Sequence, residues 1–209
     1  MAKAGMVCAL LAFGAAVSFA QDVPRVGNCL IRPGTLCTNR NLSGAKLSDA
    51  NLAHSQFTRS VLADADLKGA NLDQSDLSRA DLCRADLRSA SLQRVNARAA
   101  RFDEANLSAA TMKGAALQNA NLSGANLTQV DLSGSHLANA RLEGARLQDA
   151  NLQRADLRAA RLKGASLLSA QLQGANFTEA DLTDANLTGA NTEGAIFSRA
   201  RTSGCKGCP

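Results

Sequence analysis

Six cysteines and two histidines are the side chains in this sequence that could carry redox or metal chemistry. Cys205 and Cys208 are separated by two residues, a spacing used by thiol–disulfide and zinc motifs. Cys29 and Cys37 flank a Pro-Gly turn near the other end. A zinc site made of all four would require the two ends of the chain, or two chains, to meet. Local disulfides, a redox or metal motif, and free thiols are therefore the alternatives for these cysteines.

The N-terminus favours the disulfide interpretation. Residues 1–20 contain Lys3, then an apolar run, and end in Ser-Phe-Ala, which is the pattern of a secretory signal peptide. We predict cleavage between Ala20 and Gln21 and export to the periplasm or the medium. Disulfides persist in such oxidising compartments.

Export leads to specific expectations for the cysteines that remain. We expect Cys29–Cys37 and Cys205–Cys208 disulfides, each stapling one end of the fold. Cys83 follows a leucine and should point outward, where it could cross-link two chains.

The two histidines point to no site. His54 and His136 are far apart in sequence and have no evident partner, so we expect both at the surface. The sequence accordingly predicts no catalytic residue, no bound metal and no cofactor.

A five-residue repeat runs from residue 40 to residue 199 and contains both histidines and Cys83. A large apolar residue holds the third place in about 32 units, and a small residue, usually Ala, stands two places earlier. Asn or Asp usually stands between them, and Gly often ends the unit. Examples of the unit are residues 45–49 (AKLSD), 65–69 (ADLKG) and 195–199 (AIFSR).

A period of five fits neither a helix nor a continuous strand. On a helix, successive Leu residues would lie about 140° apart and form no apolar stripe. On a strand, every second Leu would face water. All of them point inward only if the chain turns once per unit, at a corner where Gly, Asn and Asp are favoured. The period therefore predicts a solenoid whose axis is filled by Leu and Ala.

The A-[DN]-L-x-x pattern of residues 40–199 resembles that of the pentapeptide-repeat family. The resemblance implies an all-β fold, a right-handed, four-sided parallel β-helix of about eight coils. Residues twenty apart would stack in such a coil, so Phe177 and Phe197 should be in contact. Ala97 holds a Leu place and would leave a hole, for which Val95 in a nearby Ala place could compensate.

The sequence predicts four segments: a signal peptide (1–20), an N-terminal cap (21–39), the β-helix (40–199) and a Cys-containing tail (200–209). Disulfides would staple the two short end segments. The apolar residues of the cap are expected to cover the open end of the first coil, namely Val26, Leu30, Ile31 and Leu36.

Charge and composition argue against nucleic-acid binding and against calcium binding. The net charge is +5, but charges of both signs alternate along the repeat, and the chain has no Trp or Tyr. Nucleic-acid binding usually needs a basic stripe and often stacking aromatics. The regularly spaced Asp and Asn residues fit turn chemistry better than calcium binding. The best-known activity in the family, DNA mimicry at gyrase, belongs to acidic cytoplasmic rods and is the least favoured interpretation.

The sequence therefore predicts an exported, non-enzymatic scaffold or protein-binding module with no membrane span in the mature chain. The alternative is an envelope redox or metal-binding protein that uses Cys205 and Cys208. Three outward apolar residues suggest a partner surface, namely Val61, Leu168 and Ile196. Because Ile196 lies near the lightly capped C-terminal end, where unpaired backbone invites pairing, we expect a homodimer contact there.

Overall fold

The computed structural model describes residues 24–209, so the predicted signal peptide and the Ala20–Gln21 cleavage site lie outside it. The described chain starts with two short antiparallel strands, β1 (Arg25–Val26) and β2 (Cys29–Leu30). No helix within residues 24–209 has the length and apolar character that crossing a membrane requires.

Beyond this hairpin the chain coils with a period of twenty residues. Parallel bridges join one residue of each pentapeptide to the residue twenty places further on, from Leu36 with Gln56 to Asn186 with Lys206. Four pentapeptides complete each turn, so the coil has four sides. The regular pattern extends past the predicted limits of 40 and 199 at both ends.

We number the sides by their outward-facing bridged residues. Side 1 carries Asn41 and every twentieth residue after it, side 2 begins at Lys46, side 3 at Asn51 and side 4 at Leu36. Corner 3 and corner 4 are the turns that follow side 3 and side 4.

Backbone hydrogen bonds join each coil to the next in both directions. The N–H of Leu42 donates to the carbonyl of Val61 at 2.7 Å, and the N–H of Val61 donates back to the carbonyl of Arg40 at 2.8 Å. Most corners close on themselves, as where the Ala45 N–H donates to the Leu42 carbonyl at 3.0 Å. Gly44, just before that bond, has a φ of 65°, which explains why Gly often ends a unit.

The predicted core is confirmed. Leu in the third place and Ala in the first are buried along the stack. Phe177 and Phe197 stack with ring centroids 5.0 Å apart and planes inclined by 6°, as expected for residues one coil apart. Val95 and Ala97 are both fully buried, so the core accommodates their exchanged sizes.

The N-terminal cap differs from the prediction at Leu36, whose side chain is 73% exposed. Placing Leu36 over the first coil was wrong because this residue is bridged to Gln56 and so occupies an outward place. Cys37 takes the inward place and is fully buried. The other three cap residues are half-buried, namely Val26, Leu30 and Ile31.

Two buried serines in Ala places complete the first coil. Ser55 Oγ accepts a hydrogen bond from the Thr35 N–H at 3.2 Å. Ser60 Oγ accepts from the Arg40 N–H at 3.1 Å and donates to the Cys37 carbonyl. Corners elsewhere close by a direct N–H to carbonyl bond, so the Ser60 hydroxyl bridges a wider corner and leaves both backbone groups satisfied.

Candidate functional site

The outward Asn and Asp residues close turns. Asn71 Oδ1 accepts from the N–H of Asp73 at 3.0 Å, and Asp76 Oδ1 accepts from the N–H of Ser78 at 2.8 Å. These are Asx turns, as the sequence predicted. Within residues 24–209, no group of His, Cys, Asp and Glu is arranged to hold a metal ion.

Cys83 is buried, with 6% of its surface exposed, so the prediction of an outward thiol was wrong. Its Sγ donates to Oδ2 of Asp103, one coil further on, at 3.3 Å. Burial, together with hydrogen bonds to Asp81 and Asp103, raises the pKa of the thiol to about 12. The place after the core Leu lies against the same place of neighbouring coils, which covers the sulfur. A buried, protonated thiol is a poor cross-linking nucleophile.

The two histidines are exposed, as predicted, and the structure does not bring them together. His54 lies on corner 3 and His136 on side 4, several coils apart.

Both predicted disulfides are present. Cys29 is bonded to Cys37 with their Cα atoms 5.6 Å apart, and Cys205 to Cys208 with theirs 5.9 Å apart. The first bond ties the cap to the first coil, and the second closes the C-terminal loop. Because the pairs lie at opposite ends of the stack, the four sulfurs do not share a site within one chain.

The C-terminal disulfide loop continues side 2. The N–H of Lys206 donates to the Ala185 carbonyl at 2.9 Å, and its own carbonyl accepts from the Leu187 N–H at 2.6 Å. A Cβ on Gly207 would lie 2.8 Å from the carbonyl carbon of Leu187, so the loop backbone is packed closely on the coil beneath it.

The other sides of the last coil are open. The N–H of Phe177 donates to the Ile196 carbonyl at 2.7 Å, whereas its counterpart one coil later, the N–H of Phe197, has no acceptor within residues 24–209. The same holds for the N–H of Thr192. Both side chains are only half-buried. The C-terminal end therefore presents unpaired backbone and a partly exposed aromatic ring, the features by which a sheet edge recruits a partner.

The apolar residues proposed as contacts do not form one surface. Val61 is 36% exposed on side 1, Ile196 is 46% exposed on side 4, and Leu168 is half-buried in the turn after side 2. Only Ile196 lies in the open C-terminal coil.

Ion pairs concentrate on side 1 and in the turn after it, where arginines pair with carboxylates of the same or a neighbouring coil. The hydrogen bonds from Arg84 hold the pKa of the Asp64 carboxyl below its ordinary value. Such exposed pairs contribute little to stability but neutralise the side. Three of them are Arg84–Asp64 at 2.8 Å, Arg101–Asp81 at 3.2 Å and Arg201–Asp181 at 2.8 Å.

Arginines without a carboxylate partner gather at the two corners that flank side 4. Arg59, Arg79 and Arg98 line an open groove of about 460 Å³ at corner 4. Arg94 and Arg154 line another, of about 580 Å³, at corner 3. None of these arginines forms an ion pair within residues 24–209. These arginines are far apart in the sequence and come together only through the twenty-residue period of the coil, so the five-residue pattern does not reveal them.

Comparisons with known proteins agree with this architecture. The family profile "Pentapeptide repeats" matches the chain in eight copies over residues 41–79, 65–102, 90–129, 125–164 and 165–204. HetL is a pentapeptide repeat protein involved in heterocyst differentiation regulation in the cyanobacterium Nostoc sp. strain PCC 7120. The sequence of HetL is 32% identical to this chain, and the match covers 81% of this chain and 86% of HetL. The HetL crystal structure superposes on this fold with a TM-score of 0.52.

A second solved structure shows the fold alone. Trypsin-treated QnrB1, a plasmid-mediated fluoroquinolone resistance protein, is 17% identical over 79% of this chain and 88% of its own, with a TM-score of 0.66. No protein of curated function matches the chain significantly. The repeat profile covers most of the chain and HetL aligns along most of its length, so this chain belongs to the pentapeptide-repeat family.

Proposed function

We propose that this protein is an exported, non-enzymatic scaffold that binds other proteins along the sides of a right-handed β-helix of about eight coils. The observation that carries the proposal is the filled axis. Leu and Ala fill most of the interior from Leu42 to Leu187, and the grooves at corners 3 and 4 are open to solvent. An enzyme needs a pocket with convergent reactive groups. What this fold offers instead is four rigid outer surfaces.

Site-specific photo-crosslinking in the producing cells tests the binding function. A photoreactive residue is placed in turn at Asn121 on side 1, Asn126 on side 2, Asn151 on side 3 and His136 on side 4. We expect at least one side to give a discrete crosslinked protein while the others do not. Absence of any specific crosslink from all four sides would overturn the scaffold proposal.

Export is supported by the signal-like pattern of residues 1–20 and by the two disulfide pairs. The test is the intact mass of the protein recovered from its cells, alkylated with and without prior reduction. We expect a chain that begins at Gln21, in which four cysteines react only after reduction. A full-length chain with every thiol free would exclude export.

The structure favours a structural role for the Cys205–Cys208 bond over a redox role. Lys206 is hydrogen-bonded on both sides and Gly207 is packed on Leu187, so the loop serves as the last segment of side 2. A redox enzyme would accelerate thiol–disulfide exchange in a model substrate, whereas a staple leaves the rate unchanged. Replacement of both cysteines by Ser should lower thermal stability without a change in such a rate.

We also propose that two copies pair end to end through their open C-terminal coils. Support comes from the unpaired N–H groups of Thr192 and Phe197 and from the exposure of Ile196. Sedimentation of Ile196→Asp should show a shift from dimer to monomer. Val61→Asp is the matched control, because it places the same charge on an exposed aliphatic position far from that end. An identical dimer in both variants would exclude this contact.

A further inference from the structure

Uncompensated positive charge on this protein is concentrated around one side of the coil. Corner 3 and corner 4 border side 4, and five of the seven arginines at these corners are exposed and form no ion pair within residues 24–209. The other two, Arg158 and Arg199, pair with Asp156 and Glu179. Guanidinium groups bind carboxylates in bidentate geometry and have no acceptor capacity of their own. Because no carboxylate occupies them, the five unpaired arginines can bind an anionic partner.

The spacing along corner 4 places three of these arginines close together. Arg59 and Arg79 hold the same place in successive coils, and Arg98 lies beside that place one coil further on. Successive coils are about 4.8 Å apart, the distance between neighbouring strands. Arg98 Nη1 donates to Asn96 Oδ1 at 2.9 Å, which orients its guanidinium beside the groove. Ala99 leaves the groove open next to them.

Glycines shape the groove at corner 3. A Cβ on Gly114 would lie 3.7 Å from Cγ of Arg94, so the Arg94 stem lies over this glycine. A Cβ on Gly134 would meet nothing within 4 Å. Because Gly114 and Gly134 have no side chains, a notch opens beside Arg94 at corner 3, and Arg154 lies at the far end of this notch.

Side 4 itself is low and polar between the two corners. Its middle carries Asn96, Ala116 and His136, none of which is acidic. We infer that side 4, with corners 3 and 4, binds an acidic polypeptide segment of a partner protein. This inference rests on the proposed protein-binding function and specifies the surface and the chemistry of the partner.

Two observations favour a polypeptide over a nucleic acid. Asp76 and Asp156 lie on side 4, where they would repel a continuous phosphate backbone, whereas a polypeptide can place a neutral residue opposite each. The chain has no Trp or Tyr, and Phe57, Phe102 and Phe177 are fully buried. Phe197 is half-buried, but its ring stacks on Phe177 at the C-terminal end, so the middle of side 4 lacks the stacking platforms that single-stranded nucleic acids use.

Binding of fluorescent poly-L-glutamate, followed by anisotropy at an ionic strength of about 0.1 M, tests the inference. The test variant combines Arg59→Gln, Arg79→Gln and Arg98→Gln. The control combines Lys46→Gln, Arg146→Gln and Lys163→Gln, which remove the same charge from side 2 and from the turn after side 1, where these residues are likewise not ion-paired. We expect the test variant to bind about tenfold more weakly or worse, and the control to change by less than about threefold.

Each other outcome overturns the inference. Equal weakening in the two triple variants would show that net charge alone drives binding, and no binding by the parent would remove the site. Tighter binding of a DNA duplex, lost in the same test variant, would reassign side 4 to nucleic acid. Thermal unfolding of both variants checks that the fold is retained.

The photo-crosslinking experiment keeps this inference separate from the scaffold proposal. If His136 on side 4 gives no crosslink but another side does, protein binding stands and the assignment to side 4 fails. If side 4 crosslinks a partner and the Arg59, Arg79 and Arg98 replacements abolish that crosslink, both stand.

Discussion

The ring of Phe197 lies parallel to the ring of Phe177 one coil earlier, with centroids 5.0 Å apart. Phe177 is fully buried, whereas Phe197 belongs to the half-exposed last coil. This pair therefore joins the closed core to the open C-terminal end.

Phe177→Ala should lower the free energy of unfolding by about 3–5 kcal/mol, because it leaves a cavity in a closed core. Phe197→Ala should cost clearly less, because part of its ring already faces solvent. A double-mutant cycle by denaturant titration should give a coupling of about 0.5–1.5 kcal/mol. Equal losses for the two single variants would indicate that the last coil is covered in solution, as it would be in an end-to-end dimer.

Ser60→Ala should destabilise the protein by about 1–2 kcal/mol, because the Arg40 N–H and the Cys37 carbonyl both lose their partner. Ser135→Ala is the matched control. Its Oγ donates only to the Leu132 carbonyl, at 2.6 Å, in a place where most coils carry Ala. We expect a change of less than about 0.5 kcal/mol for that control. Chemical denaturation compares the two, and similar losses would contradict the capping role of Ser60.

Ala99→Gly should stabilise the protein by about 0.5–1 kcal/mol. Ala99 has a φ of 54°, in the left-handed region that costs residues with a Cβ roughly 1–2 kcal/mol. Ala138, at the same corner 4 but without a positive φ, is the control, and Ala138→Gly should destabilise the protein by about 0.5–1 kcal/mol. Melting temperatures measured in parallel should move in opposite directions, and a shared direction would refute the backbone argument.

The Cys83 thiol makes stability depend on alkaline pH. Burial and the Asp81 and Asp103 carboxylates raise its pKa from 9.0 to about 12. The folded state therefore favours the protonated thiol, and this contribution is fully present below pH 9 and lost as the pH rises toward about 12. The parent should lose stability faster than Cys83→Ala over that window. Parallel pH–stability curves would contradict the assignment.

Alkylation provides an independent check on Cys83. In the native protein at pH 8 the thiol should react far more slowly than in the denatured protein, because it is both covered and protonated. A native rate close to the denatured rate would place the sulfur at the surface.

The regular part of the fold could be predicted because each pentapeptide presents the same physical problem. An inward Leu every five residues requires a turn per unit, and a coil of four units predicts the Phe177–Phe197 stack. The disulfides were predictable because each pair is close in sequence, so its pairing needs no knowledge of the tertiary fold.

The features that the sequence did not predict have physical causes that hydrophobicity alone does not reveal. Leu36 is apolar but stands one place before the inward position, and Cys37 in a Leu place concealed the first unit in register. Cys83 is covered by neighbouring coils at a place that the pentapeptide pattern does not mark as inward. The basic corners depend on residues twenty apart, so alternating charges along the chain concealed their segregation around the axis.

The parallel bridges, each spanning twenty residues, also determine how this surface can evolve. Gain or loss of one pentapeptide leaves every Leu inward, yet it rotates all later residues by a quarter-turn relative to the earlier ones. A gain between Arg79 and Arg94 would move Arg94 from corner 3 onto corner 4, in line with Arg59 and Arg79, whereas a loss there would move Arg94 to the turn after side 2, away from side 4. Gain or loss of twenty residues would lengthen or shorten the rod and preserve that alignment. A five-residue change therefore alters which outer residues align along a side but has little effect on core stability. Natural length variants in steps of five and of twenty should differ in binding far more than in folding.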